Sequence, residues 1–259
     1  MSETRIIYDM KDADYRAVDA YGSTVIKTAA TLSVKHARTG RPDSTSLSRG
    51  RLIHALVLEP DEVEGRYAVQ PAGHGNSKAV REAKAVMKEA GIIPVSPSDW
   101  DACNRSADSV RKHPLAGKLL SSGKPEVSMF WTHESGAKLK SRIDWLDPEA
   151  GMAIDLKSVG TVGATHPDRF LREALRYHYA AQAAHYMDGL AACTGLTFSW
   201  RWIAVEASPP YAVTVFNIGE GLWAKGVEVW RRGIERLVEA DSIEENTTWP
   251  SKVYTLDVG

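Results

Sequence analysis

The sequence predicts an α/β (α+β) protein in which a mainly helical N-terminal part precedes a set of strands and further helices. Helical periodicity and capping signals dominate as far as about residue 112. Three runs with period-two alternation then follow, separated by tight-turn signals. In order, we expect helices at 10–37, 46–59, 77–90 and 96–112, strands at 66–70, 126–133, 138–146 and 151–157, a helix pair at 167–194, strands at 197–206 and 211–218, and a helix at 220–240.

Capping and helix-breaking residues set the limits of these elements. Pro60 ends the second helix, Ser77 precedes the third, and Ser96 opens the fourth. Gly195 ends the helix pair, and Pro209 lies between the last two strands. The order of elements is therefore a run of helices, then α-β-β-β-α-β, then a closing strand and helix.

Length and composition indicate one globular domain. The chain has 259 residues, a net charge of −1 and a mean hydropathy of −0.29. We expect a single domain, with a mainly helical part at 1–120, a core at 121–240 and an irregular tail at 241–259. No apolar run is long enough to span a membrane, and the N-terminus does not resemble a signal peptide, so we expect a cytoplasmic protein.

Two tight turns would bring three acidic residues into line across the three strands. A hairpin at the turn DPEAG, residues 147–151, sets Asp144 opposite Asp155. A hairpin at the turn HESG, residues 133–136, sets Glu126 opposite Asp144. Cross-strand neighbours lie about 5 Å apart, where two like charges repel by roughly 3 kcal/mol at an effective dielectric constant of 20. The sequence therefore predicts a group that neutralises this row.

A divalent cation is the best candidate for that neutralising group. Lys157 shares a strand face with Asp155, and Arg142 falls opposite Lys157 in the same register, so both could offset part of the charge. Clustered oxygen ligands suit Mg²⁺ or Mn²⁺. The alternative is a solvated, salt-bridged strand face without a ligand. The opposite face, with Ile143, Trp145, Ile154 and Leu156, is expected to form an apolar layer.

Basic residues are distributed unevenly and indicate a second kind of site. Arg49 and Arg51 lie in the second predicted helix, and Lys78, Arg81 and Lys84 recur on the third. Such clusters are often only solvated helix faces. Beside an acidic metal site that would itself repel phosphate, they are also candidates for contacts with a DNA backbone.

Four motifs in the right chain order resemble the PD-(D/E)XK nuclease superfamily, and within it the RecE-type and lambda-type phage recombination exonucleases. They are the helix RLIHALVLEP of 51–60, Asp144, the D-L-K of 155–157, and the Q-x-x-x-Y of 182–186. The resemblance implies a restriction-endonuclease-like core, with a central mixed sheet flanked by helices and an N-terminal helical extension. It covers about residues 21–240.

The resemblance also implies roles for the strand residues. Asp144 and Asp155 would bind Mg²⁺, with the backbone carbonyl of Leu156 joining them. Glu126 would serve the same metal site from the preceding strand. Lys157 would orient the attacking water and stabilise charge on the phosphate.

Three further residues are assigned by the resemblance, each with a simpler alternative. His54 matches a histidine that approaches the metal, although a histidine among leucines on a helix is commonly a core or interface group. Gln182 and Tyr186, four residues apart on one helix face, would support the lysine and the substrate backbone. Their alternative role is helix–helix packing.

By resemblance, we expect a Mg²⁺-dependent exonuclease that acts on linear double-stranded DNA from its ends, with Mn²⁺ able to substitute. The expected polarity is 5′ to 3′, which leaves a 3′ single-stranded tail for a RecT-like or lambda beta-like annealing protein. A homo-oligomeric ring, trimeric or tetrameric, in a phage or prophage setting is also implied. The alternatives are an endonuclease on the same core, a non-catalytic DNA-end-binding module, and an enzyme for small phosphoesters. Cys103 and Cys193 cannot supply the four thiolates of an iron–sulfur cluster.

Overall fold

A six-stranded mixed sheet organises the protein, as the fold class predicted. The structure, a computed structural model, describes residues 4–39, 45–73 and 77–243. The strands are β1 (Arg5–Ile7), β2 (Tyr67–Val69), β3 (Ile93–Val95), β4 (Lys124–Thr132), β5 (Lys138–Asp147), β6 (Met152–Val159), β7 (Ser199–Glu206) and β8 (Val213–Phe216). The order in the main sheet is β1-β4-β5-β6-β7-β8, and within this sheet only the β6–β7 pair of strands is parallel. β2 and β3 form a separate parallel pair.

Helices cover both faces of this sheet. They are α1 (Asp12–Ala17), α2 (Ser23–Thr31), α3 (Val34–Thr39), α4 (Thr45–Leu58), α5 (Val63–Arg66), α6 (Lys78–Glu89), α7 (Pro97–Lys112), α8 (Pro114–Leu119), α9 (Pro167–Arg176), α10 (Tyr179–Thr194) and α11 (Glu220–Ile243), with a 3₁₀ turn at Pro60–Glu62. Among the described helices, none is both long and apolar enough to cross a membrane. The tail predicted to be irregular from residue 241 is helical at 241–243, because α11 extends through Ile243; residues 244–259 lie outside the described part.

The single helix expected at 10–37 is wrong, because three short helices occupy this stretch. The Lys140 ammonium donates to the carbonyls of Tyr15, Arg16 and Val18, which satisfies the C-terminal end of α1. Tyr21 then exchanges backbone hydrogen bonds with Lys138 and Lys140 of β5. This pairing with a strand edge interrupts the helix. Sequence periodicity also missed the three-residue strands β1 and β3.

Two hydrophobic clusters lie on opposite faces of the sheet. The first packs α10, which carries Tyr186, and α11 over Trp131 and Trp202 of the sheet, and the second places α4 and α7 over Leu156 and Ile203. The predicted apolar layer is confirmed for Trp145, Ile154 and Leu156, which share the second cluster.

The same prediction is wrong for Ile143, which packs in the first cluster. The pairing of β5 with β6 covers only Trp145–Asp147. Ile143 precedes this stretch and pairs with Val127 of β4, so β6 does not determine which face of the sheet Ile143 occupies.

Long helix α11 packs closely against its neighbours at two glycines. A Cβ atom at Gly233 would lie 2.3 Å from the carbonyl oxygen of Ile26, and one at Gly226 would lie 2.5 Å from the backbone of Ala180. A side chain at either position would force α2 or α10 away from the sheet. At Gly221, in the same helix, a Cβ atom meets nothing within 4 Å.

We expect Gly233→Ala to destabilise the protein by roughly 1–3 kcal/mol, because overpacked contacts with backbone atoms cannot relax by a rotamer change. The matched control, Gly221→Ala, should be neutral or slightly stabilising, because alanine favours the helix. Urea unfolding followed by circular dichroism measures both. Equal stabilities for the two variants would contradict the close packing of α11 on α2.

Candidate active site

The predicted alignment of the acidic residues is confirmed by the strand register. Pro125 pairs with Trp145 and Val127 with Ile143, so Glu126 lies level with Asp144. Trp145 pairs with Ile154, and continuing this register sets Asp144 level with Asp155. Pairing between β5 and β6 stops at that point. The carboxylates therefore project where the two strands are no longer hydrogen-bonded to each other.

Three side chains from different elements form a candidate metal site. Ligand atoms of His54 on α4, Glu126 on β4 and Asp144 on β5 all lie within 4.8 Å of one another. His54 Nδ1 is 3.6 Å from Asp144 Oδ2. Glu126 has a left-handed backbone with φ of 51°, which is uncommon for a residue other than glycine and typical of strained functional positions. One nitrogen and two carboxylate ligands fit a divalent cation such as Mn²⁺ or Mg²⁺.

Burial and mutual repulsion perturb the acids of this site. Burial, reinforced by the charge of Asp144, raises the pKa of Glu126 to about 7. Burial, reinforced by the charge of Asp155, raises the pKa of Asp144 to about 8. Burial lowers the pKa of His54, and the charge of Lys157 lowers it further. A neutral imidazole and two carboxylates that resist ionising without a counter-ion are the donor set that a cation would stabilise.

The backbone of Leu156 joins two members of the site. Its N–H donates to Asp144 Oδ2 over 2.8 Å, which orients that carboxylate. His54 also hydrogen-bonds to the backbone of Leu156. The predicted use of the Leu156 carbonyl as a metal ligand stays a prediction.

A second group lies beside the candidate metal site and is held by its own hydrogen bonds. Gln182 Nε2 donates to Asp155 Oδ1 over 2.8 Å and lies 3.3 Å from the Tyr186 hydroxyl. Lys157 Nζ donates to Gln182 Oε1 over 3.1 Å and forms an ion pair with Asp155. Gln182 therefore contacts Lys157 directly, whereas Tyr186 contacts Gln182 and not the lysine; the predicted support of Lys157 and the substrate backbone by these two residues stays a prediction. Tyr186 also packs in the first hydrophobic cluster, in agreement with its alternative role in packing.

Asp155 differs from the other two acids in its partners. Its side chain is almost completely buried, and both of its oxygens contact Lys157 or Gln182. It is not among the three residues whose ligand atoms converge. Its predicted role as a metal ligand stays a prediction, which would require one of these contacts to be shared with the cation.

Arg142 does not pair with the Lys157 region as its register predicted. Its Nε lies 2.7 Å from Glu126 Oε2, and its Nη1 lies 3.8 Å from Asp12 of α1. The reason is again the end of β5–β6 pairing at Trp145, which leaves Arg142 beside β4 instead. Arg142 thus offsets the charge of Glu126, while Lys157 offsets that of Asp155.

Two tyrosines near the site were missed by sequence reasoning. The ring centroid of Tyr179 is 4.9 Å from Lys157 Nζ, a cation–π contact. Tyr179 lies three residues before Gln182, so helical spacing could have found it. Tyr15 of α1 has its ring beneath Lys140 and Arg142, and burial raises its pKa. Only tertiary packing brings Tyr15 there.

The predicted DNA-contacting residues fall on two different helices. Arg49 and Arg51 lie on α4 with His54, and Arg49 forms an ion pair with Asp99 of α7. Lys78, Arg81 and Lys84 lie on α6, which packs beside β3 of the separate small sheet. Contact of either set with DNA stays a prediction.

Comparison with known proteins identifies the family. A family model described as a PDDEXK-like domain of unknown function (DUF3799) matches residues 23–253. The chain belongs to this family. No curated protein matches it.

Two solved structures are similar to this DUF3799 protein. A protein from Eubacterium rectale, provisionally described as an exonuclease, has a TM-score of 0.66 at 13% identity, over 97% of this chain and 96% of that one. At this identity the likeness shows the fold alone. A phage-related exonuclease from Haemophilus somnus 129PT has a TM-score of 0.38 at 12% identity, over 87% of this chain and 96% of that one. That weaker likeness carries no argument.

We expect the metal-free protein to lose stability as pH rises toward 8. Glu126 and Asp144 have raised pKa values in the folded state, so folding retains protons that the unfolded chain releases above about pH 4. Stability therefore falls as pH rises through this window. His54, with its lowered pKa, acts in the opposite direction below about pH 6.5.

The control for this pH effect is the double variant Glu126→Gln, Asp144→Asn. It keeps His54, and its stability should not fall as pH rises toward 8. Added Mn²⁺ should raise the melting temperature more at pH 8 than at pH 6, because ligands must be deprotonated to bind it. Thermal unfolding with a chelator or with MnCl₂ measures both effects. If Mn²⁺ raises the melting temperature equally at both pH values, or still raises it in the double variant, the result would contradict a metal site at these residues.

Proposed function

We propose that this DUF3799 protein is a divalent-metal-dependent exonuclease acting on linear double-stranded DNA. The observation that carries the proposal is the juxtaposition of a three-ligand cluster, His54, Glu126 and Asp144, with an ammonium group held beside it on β6. Phosphodiester hydrolysis needs a cation for the phosphate, a nucleophile from water and relief of developing charge. The family fold and the described activity of its Eubacterium rectale likeness support the same reaction class.

His54, Glu126 and Asp144 would hold the metal, with Asp155 a further candidate. When bound, a divalent ion in such a site polarises the phosphate and lowers the pKa of a coordinated water. Lys157 forms an ion pair with Asp155, and its role would be to position water and to stabilise negative charge on the phosphate. Gln182 fixes Lys157 and Asp155 relative to each other.

The finer features of the proposal follow from the sequence resemblance. We propose that Mg²⁺ is the physiological ion, with Mn²⁺ able to replace it, and that digestion runs 5′ to 3′ and leaves a 3′ single-stranded tail. A RecT-like or lambda beta-like annealing protein would receive the tail. A homo-oligomeric ring and a phage or prophage origin in the bacterial cytoplasm belong to the same proposal.

We expect linear duplex DNA, but not covalently closed circular DNA, to be degraded when Mg²⁺ or Mn²⁺ is present. A chelator or Asp144→Asn should abolish degradation, since each removes part of the cation site. A linear duplex labelled at one 5′ or one 3′ end gives the polarity by the order in which label is released.

Glu134→Gln, an exposed acid at the far turn of the same hairpin, is the matched control and should retain activity. Equal attack on closed circles would replace the exonuclease with an endonuclease. Full activity in Asp144→Asn would remove the proposed centre altogether.

We expect Gln182→Ala to reduce hydrolysis without reducing metal binding. Hydrolysis should fall by roughly 10- to 100-fold, because Lys157 and Asp155 lose the amide that orients them. Mn²⁺ affinity, measured by calorimetry, should change little, since Gln182 contacts none of the three converging ligands. In Asp144→Asn both quantities should fall. A large loss of Mn²⁺ affinity in Gln182→Ala would indicate that Asp155 is a principal metal ligand.

A further inference from the structure

Four side chains, two aromatic rings between two cations, form a row that leads from the candidate active site to the protein surface. Lys157 Nζ lies 4.9 Å from the ring centroid of Tyr179. The Tyr179 ring stacks on Tyr177, with centroids 5.9 Å apart and an interplanar angle of 21°. The Arg176 guanidinium carbon lies 5.3 Å from the Tyr177 centroid. We call these four residues the cation–aromatic row.

The inner half of the row is packed against other aromatic side chains. The Tyr179 ring packs against Phe170 at 6.0 Å and against Trp202 at 6.4 Å. His178, between the two tyrosines, has a left-handed backbone with φ of 53°. This residue makes the corner between α9 and α10, and so allows two tyrosines two positions apart to stack. The geometry of the row is therefore built into the backbone.

The outer half of the row is open to solvent and positively charged. Tyr177 keeps 42% of its surface exposed. Arg169, Arg172 and Arg176 recur along α9 at a spacing that places them on one side of the helix. Arg169 and Arg172 donate to main-chain carbonyls.

The charge of these arginines is not cancelled by close carboxylates. Across residues 4–39, 45–73 and 77–243, no ion pair joins Arg169, Arg172 or Arg176 to a carboxylate. Lys27 also approaches this corner, where its Nζ donates to the Tyr177 carbonyl over 3.3 Å. Asp168 and Glu173 on the same helix reduce the net positive charge of α9 but do not reverse it.

We propose that the cation–aromatic row and the arginine side of α9 form a binding track for unpaired nucleotides of the DNA strand being cut. This rests on the proposed function. Exposed aromatic rings bind bases by stacking, and every base offers a π face, so the contact tolerates any sequence. Cations beside the rings hold the phosphates. Bases inside a duplex are already stacked on their neighbours, which is why the occupant is an unpaired segment.

A narrower role for the aromatic residues would be to hold Lys157 in place. Tyr179 serves that role whether or not DNA binds, because it contacts the ammonium directly. Tyr177 distinguishes the two roles. It is one contact further out, it is exposed, and its own neighbours are Tyr179 and Arg176 rather than the catalytic groups.

The test is the affinity for a fluorescein-labelled oligothymidylate of about 12 nucleotides, measured by anisotropy with a chelator present so that no hydrolysis occurs. We expect Tyr177→Ala to bind between about 5-fold and 150-fold more weakly than wild type, the range for loss of one stacked base. Tyr177→Phe keeps the ring and should bind like wild type. Tyr8→Ala, which removes another exposed tyrosine, is the matched control and should also bind like wild type.

Equal affinity of Tyr177→Ala and wild type would overturn the track, as would failure of wild type to bind the oligonucleotide. A loss shared by Tyr8→Ala would also overturn it. Because this binding is measured without metal, its failure is distinct from failure of the nuclease proposal. If wild type hydrolyses DNA but Tyr177→Ala binds the oligonucleotide as tightly as wild type, the nuclease proposal stands and the track is overturned. If Tyr177→Ala binds more weakly but wild type hydrolyses no DNA, the binding site stands and the nuclease proposal is overturned.

Discussion

Repulsion between buried carboxylates, at the point where β5 and β6 stop pairing, is the constraint around which the functional part of this protein is arranged. Glu126, Asp144 and Asp155 are brought level by the strand register; Asp155 is buried, and Glu126 and Asp144 are partly buried. Burial and repulsion from a neighbouring carboxylate both raise the pKa values of Glu126 and Asp144. Whole domains are stable by only about 5–15 kcal/mol, so three such charges need partners.

The three carboxylates are compensated by neighbouring groups to different extents. Asp155 is neutralised internally by Lys157 and held by Gln182, so it can orient the lysine without a metal. Arg142 compensates Glu126 in part, from the side of α1. Asp144 has a backbone N–H and a neutral histidine, which orient it but do not cancel its charge. The uncompensated charge is therefore concentrated at Asp144 and Glu126, where a bound cation would gain most.

Local sequence pattern predicted the parts of this arrangement that local geometry controls. Two turn sequences fixed the register of Glu126, Asp144 and Asp155, and a four-residue spacing on one helix placed Gln182 beside Tyr186. The partner of Arg142 could not be predicted, because it depends on where strand pairing ends rather than on the period of the strand. Tyr15 likewise reaches the site only through the packing of α1, to which residues distant in sequence contribute.

An acidic metal pocket and a phosphate substrate repel each other, so a nuclease of this kind needs positive charge placed close to the pocket but not within it. The net charge of −1 means that this cannot come from the protein as a whole. The α9–α10 corner meets the requirement locally. Lys157 lies at the inner end of the cation–aromatic row, and Arg176 at the outer end, with two tyrosine rings between them. Aromatic spacers keep the cations from repelling one another at contact distance, while the row still leads a strand toward the metal ligands.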